Sequence, residues 1–188
     1  DNYNQGKLLA ERCIDYFKLQ KGEKVFVWGL KSLPGRGRRA QAIIEVFEKA
    51  GLKVDYLEIS PEANKDATLG APILTGYLSA NKDCKLVVID HGALTAQAGN
   101  ALRSAGIAPD AVAVAGFSLS PATAEGIKTG YVDLIGEGQP YLIGYLAVTT
   151  LLQSKEAGFG GLVIDTAGGF VTKENIDMIA PLAEKGIR

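Results

Sequence analysis

Three arginines crowd into the stretch LPGRGRR, residues 33–39: Arg36, Arg38 and Arg39. A guanidinium presents a rigid fork of donors that fits carboxylates, phosphates and vicinal hydroxyls. The stretch follows a strand-like run, KVFVWGL, and precedes an apolar-periodic segment, AQAIIEVFEKAG. It therefore lies at a strand-to-helix junction, where the free N–H groups of a helix start assist an anion. The spacing matches neither common phosphate loop. No Gly-Lys-Ser/Thr follows the glycines, and the order G-x-G-x-x-G is absent. Solvation, or pairing with a nearby acid, is the ordinary alternative for each arginine.

Other junctions of the same kind carry polar residues. VVIDHG holds Asp90 and the only histidine, His91. Adjacent residues at a strand end point to opposite sides, so one of the pair is expected to face a ligand. His91 suits a polar binding contact or loop packing. A role as catalytic base lacks a companion nucleophile or acid at a recognisable spacing. GFSLSPAT brings Phe117, Ser118 and Ser120, with Ser120 placed as a helix N-cap. IGEGQPY brings Glu137 and Gly138, and its glycines permit close approach of backbone or ligand. EISPEANKD is the remaining junction of this type.

The elements that must position these residues alternate. Strand-like runs at 23–30, 52–59, 84–90, 110–117 and 131–136 are separated by helical patterns at 38–51, 67–81, 93–106 and 121–130. A helix over 4–19 precedes them, and one or two short strands and a helical turn follow. This rhythm predicts an α/β fold: a doubly wound, mostly parallel sheet with helices on both faces. Ligands in such sheets bind outside the carboxyl ends of the strands. Five junctions far apart in sequence should therefore meet along one rim. The segment 139–156 is a problem of its own. Tyr141, Leu142, Ile143, Tyr145, Leu146, Val148, Leu151 and Leu152 leave it little polar face, so it needs neighbours on several sides.

Composition narrows the classes. The 188 residues carry 20 Lys and Arg against 21 Asp and Glu, a formal net charge of −1, so no nucleic-acid partner is expected. A chain of this length buries roughly 70% of its unfolded surface without staples. One histidine and two cysteines, Cys13 and Cys84, give no zinc spacing, and buried free thiols are expected. No leader segment and no apolar run of membrane length is present. The chain opens on DNYNQGK without a start methionine, as a mature or truncated product does, so the missing leader assigns no compartment.

DAVAVAGFSLSPATAEGIKTGYVDLIGEGQPYLIGYLAV, IDTAGGFVTKENID and the opening DNYNQGKLLAERCIDYF together resemble type I periplasmic sugar-binding proteins, the substrate-binding subunits of ABC transporters. The likeness covers nearly the whole chain, and QPYLxGY and FVTKEN are its most specific pieces. It implies that residues 1–188 form the carboxy-terminal lobe of a two-lobed protein, with helix 139–156 packing on a missing amino-terminal lobe. It implies a non-enzymatic role: a sugar or sugar-like small polar molecule bound between lobes that close on hinges, without cofactor or metal. Partners would be a membrane permease and, through helix 139–156, a second copy of the chain. The compartment would be periplasmic or extracellular.

The hinges would lie near Asp1, Phe117–Leu119 and 158–164. Carried over by position, the ligand-contacting arginine falls on Arg36 or Arg38, and the polar residue of the third junction on His91 beside Asp90. The family's acidic residue after Gly-Phe falls on Ser118, and its glutamine on Gly138 beside Glu137. These departures point away from a ribose-like pocket, toward another polyol, a modified sugar or another small polar ligand. Two other roles share the sheet: the effector domain of a lactose-repressor-type transcription regulator, and an enzyme for phosphorylated substrates that uses Arg36, Arg38 and His91.

Overall fold

The computed structural model describes residues 1–158, 160 and 162–187. The chain opens with α1 (Asn2–Phe17), whose N-cap Asp1 accepts from the amides of Tyr3 and Asn4. Strand and helix then alternate. β1 (Lys24–Gly29) leads to α2 (Arg38–Lys49). β2 (Lys53–Glu58) leads to α3 (Pro61–Lys65), a 3-10 turn at Ala67–Gly70 and α4 (Ala71–Ala80). β3 (Cys84–Ile89) leads to α5 (Gly92–Ser104), and β4 (Ala113–Phe117) to α6 (Pro121–Thr129). β5 (Leu134–Glu137) leads to α7 (Pro140–Ala157), and β6 (Gly169–Thr172) with α8 (Ile176–Glu184) follows.

The strands form one sheet in the order β2-β1-β3-β4-β5-β6. β1 to β5 are parallel and β6 runs antiparallel to β5. Side chains alternate between the two faces of a strand. Phe26 and Trp28 of β1, with Val87 and Ile89 of β3, pack in the layer covered by α4, α5, α6 and α8. Val25 and Val27, with Leu86 and Val88, pack in the layer covered by α1 and α2. This is the doubly wound arrangement expected from the sequence. The strand order reverses between β1 and β3, so the connections leave those two strands in opposite directions. A crevice opens at such a switch point, outside the carboxyl ends.

Several boundaries differ from expectation for local reasons. The helix expected over 67–81 is divided, because Pro72 sits at a helix start and Asp66 caps the preceding 3-10 turn. α3 was hidden in a loop-like stretch, and Ser60 and Pro61 start it. β5 begins only at Leu134, since Asp133 turns its carboxylate onto the Val114 amide at 2.7 Å. The closing helical turn is a full helix, α8, interrupted by Pro181. Residues 117–119 lie within one body, where the Leu119 amide donates to Glu137 at 2.6 Å, so they are not a crossing between lobes. The proposed hinge over 158–164 includes Phe159 and Gly161, which lie outside the described residues.

Cys13 and Cys84 are buried free thiols. α7 behaves differently from every other long helix: none of its residues is buried. Tyr145 and Leu151 are 59% and 70% exposed. Among the described residues, no helix is long and apolar enough to cross a membrane.

α1 and α2 meet at Gly6, where a Cβ would stand 2.2 Å from the Arg39 carbonyl oxygen. Gly6→Ala must push the helices apart, and should lower stability by about 1–3 kcal/mol. Urea unfolding checks this as a lower midpoint at unchanged slope.

Candidate binding rim at the strand switch point

The β1–α2 loop and the end of β3 meet at the switch point. Asp90 directly follows β3, is fully buried, and donates its amide to the Trp28 carbonyl at 2.8 Å. Two guanidiniums converge on its side chain. Arg36 donates through Nη1 to both carboxylate oxygens, at 3.1 and 2.9 Å, and through Nη2 to the Asp90 carbonyl at 2.6 Å. Arg39, from the first turn of α2, donates through Nε to Asp90 Oδ1. Its guanidinium also lies 3.7 Å from the centre of the Phe117 ring, a cation–π stack. Burial pulls the Arg39 guanidinium below its ordinary value, and the charge of Asp90 opposes that pull.

His91 is the N-cap of α5. Its Nδ1 accepts from the Leu94 amide at 3.3 Å, so the ring proton sits on Nε2. Burial, and then the charge of Arg36, hold the imidazole below its usual range, against the opposite pull of Asp90. A neutral ring whose Nδ1 is already engaged suits hydrogen bonding through Nε2 and does not suit base catalysis. Neither thiol offers a nucleophile, because burial raises both Cys13 and Cys84. Among the described residues, no three His, Cys, Asp or Glu side chains gather as a metal site.

Ser118 follows β4 in the left-handed region, at φ 72°. A non-glycine residue there is strained by about 1–3 kcal/mol. Its Oγ would stand 2.7 Å from a Cβ on Gly92, so glycine at the first position of α5 permits the approach. Glu137 is buried at the end of β5 and accepts from the amides of Leu119 and Gln139 at 2.6 and 2.9 Å. It thereby ties the β4–α6 and β5–α7 connections together. Gly138 lies against the Gln5 side chain, and its carbonyl accepts from Thr166 Oγ1 at 2.8 Å.

The residues expected from the sequence are thus partly gathered. Arg36, Asp90 and His91 surround the switch point, and Ser118 stands beside the start of α5. Glu137 and Gly138 continue the rim at β5. Arg38 stands apart: it is exposed, with its guanidinium 5.5 Å from the centre of the Tyr3 ring on α1. Arg39 and Gln5 had not been placed among the ligand contacts. Gln5 Oε1 accepts from Arg39 Nη1 at 3.4 Å. The helical period does not separate Arg38 from Arg39, since Arg38 and Ala42, like Arg39 and Ile43, are four apart and share a face. No sequence signal pairs Gln5 with Arg39.

Removing the Asp90 carboxylate strands two cations in a low-dielectric setting. Asp90→Ala should therefore cost about 3–5 kcal/mol of stability, measurable by denaturant titration. His91 carries a sign of its own. Its folded pKa lies below the ordinary 6.5, so its contribution is present above that value and is lost as pH falls through the folded value. An NMR titration of the ring should give a midpoint below 6.5, and His91→Gln should remove that part of the acid destabilisation.

Comparison with known proteins fits this geometry. The family described as periplasmic binding protein domain matches residues 1–158. The xylose/arabinose-binding protein XylF of Sulfolobus acidocaldarius is 35% identical over 186 residues, covering 93% of this chain and 43% of that protein. A sugar-binding protein of a sugar ABC transporter from Bacillus halodurans superposes with a TM-score of 0.79 at 18% identity, over 95% of this chain and 64% of its own. A carbohydrate transporter from Acidothermus cellulolyticus, solved with myo-inositol, gives 0.75 at 20% identity, over 100% of this chain and 63% of its own. The chain thus spans less than half of the curated relative's length. By the extent of the family match, this chain belongs to the periplasmic binding protein domain family.

Proposed function

We propose that this chain is one lobe of the solute-binding component of an ABC transporter, and that it binds a sugar or sugar-like polyol in a cleft closed by a second lobe. The observation that carries this reading is the rim at the β1/β3 switch point. There Asp90 holds two guanidiniums in place. Arginine forks held in this way offer donors to vicinal hydroxyls. His91, Ser118, Glu137 and Gly138 extend the rim toward β5, and Arg38 is a peripheral member of the set. The relative named for xylose and arabinose supports a pentose-like ligand. The role is binding and delivery to a membrane permease outside the cytoplasm, without chemistry on the ligand.

The exposed α7 supports a second lobe. Ile143, Val148, Leu151 and Leu152 are each 49% or more exposed, and Leu162 and Val163 beyond the helix are 68% and 101% exposed. A helix apolar on all sides needs cover. The segment leaving α7 is tied to α1 and to the segment that enters α7. Asn4 Nδ2 donates to Asp165 at 2.7 Å, and Gln139 Nε2 donates to the Thr166 carbonyl at 3.0 Å. Gln139 is itself left-handed, at φ 56°. Neighbouring connections tied together in this way suit hinge closure. In the lone lobe the same apolar face is open to a second copy.

Calorimetric titration of the full-length gene product with xylose, arabinose, ribose and myo-inositol is the test. At least one should bind with micromolar affinity or better, and the isolated 188-residue lobe should bind about 100-fold more weakly because half the contacts are absent. Sedimentation of the lone lobe should show self-association that disappears on Leu151→Glu with Val148→Glu. Binding by the lone lobe as tight as that of the full-length product contradicts the two-lobe cleft, and a clean monomer contradicts the open apolar face.

A further inference from the structure

The loop from Lys31 to Gly37 carries Arg36, yet residues 31–35 are all exposed. Apolar burial therefore does little to place it. Its internal turns set its shape: Leu33 N to Leu30 O at 3.0 Å, Arg36 N to Pro34 O at 2.7 Å, and Gly37 N to Leu33 O at 2.7 Å. None of these joins the loop to β2.

That connection comes from β2. Tyr56 and Glu58 are two residues apart and so share a face, and the register sets Glu58 opposite Gly29, the last residue of β1. Glu58 Oε1 accepts from the Ser32 amide at 3.1 Å and from Ser32 Oγ at 2.5 Å. Glu58 Oε2 accepts from the Tyr56 hydroxyl, whose oxygen in turn accepts from the Lys31 amide at 2.9 Å. One carboxylate thus gathers the first half of the loop. The second half has Asn2 Nδ2 on the Gly35 carbonyl at 3.3 Å and the Arg36–Asp90 pair. Ordering exposed backbone costs conformational entropy. Charge-assisted hydrogen bonds are the stronger kind that can offset it.

We propose that Glu58, supported by Tyr56, is a positioning residue for ligand binding: it clamps the β1–α2 loop so that Arg36 is presented at the Asp90 rim, and it sets affinity through Arg36 without touching the ligand. The proposal rests on the sugar-binding reading above. It gives a role to the junction EISPEANKD, which supplies no contact to the Asp90 cluster itself.

The test uses the full-length gene product with Glu58→Ala and Glu58→Gln, titrated with xylose and arabinose. Glu58→Ala should weaken binding on the order of tenfold, and Glu58→Gln less, because an amide oxygen still accepts from Ser32. Hydrogen exchange should quicken at residues 31–36 while β3 keeps its protection. The Arg36 guanidinium NMR signal should move away from its Asp90-bound position. An unmoved Arg36 signal in Glu58→Ala overturns the proposal, as does loss of protection across β3, which marks general destabilisation. If the wild type takes neither sugar, the sugar-binding reading fails, and the exchange and guanidinium signals still decide whether Glu58 clamps the loop.

Discussion

A single buried carboxylate organises the rim. Asp90 has no exposed surface, and an ionised group in that position is tolerated only when paired and hydrogen-bonded. Two guanidiniums meet that need from one side of the sheet, one from a loop and one from a helix. The pairing works in both directions. The arginines supply the hydrogen bonds the carboxylate needs, and the carboxylate removes the freedom that would let either arginine turn to bulk water. Such a cluster adds little net stability compared with apolar packing, because desolvation cancels much of the Coulombic gain. What it provides is position: each guanidinium is held in one orientation by the fold itself.

The topology makes that cluster possible. Asp90 and Arg36 are 54 residues apart, and they meet because β1 and β3 are neighbours that end at the same edge. Phe117, from the end of β4, lies under the Arg39 guanidinium and adds a contact from a third strand. Glu137, at the end of β5, gathers two backbone amides and locks the neighbouring connections. Each parallel strand from β1 to β5 thus contributes to one rim, with β2 acting through Glu58 on the loop of its neighbour.

The opposite condition holds at α7. It carries large apolar side chains, Tyr145, Val148 and Leu151 among them, yet none of its residues is buried. Apolar surface of this extent drives association. The chain segments before and after α7 lie side by side, tied by Gln139 to Thr166 and by Thr166 to Gly138.

Much of this was legible in the residues alone. The continuous apolar runs Val25–Trp28 and Leu86–Ile89 and the helical runs between them determined an α/β sheet with both faces covered, because burial on both sides leaves no polar stripe on a central strand. The junction residues followed from the direction of the strands, and the lack of a polar face over 139–156 marked a helix in need of cover. The sequence could not decide which cation reaches Asp90. Arg38 and Arg39 are adjacent and chemically identical, and only the packing of α2 on α1 turns Arg39 inward and leaves Arg38 beside Tyr3. Glu58 likewise looked like an ordinary polar end to an edge strand. Its partners Ser32 and Tyr56 are gathered by the β1–β2 register, a long-range pairing that local spacing does not encode. Local periodicity determines elements because it acts within a few residues, whereas the site depends on contacts that exist only once the strands have been ordered in the sheet.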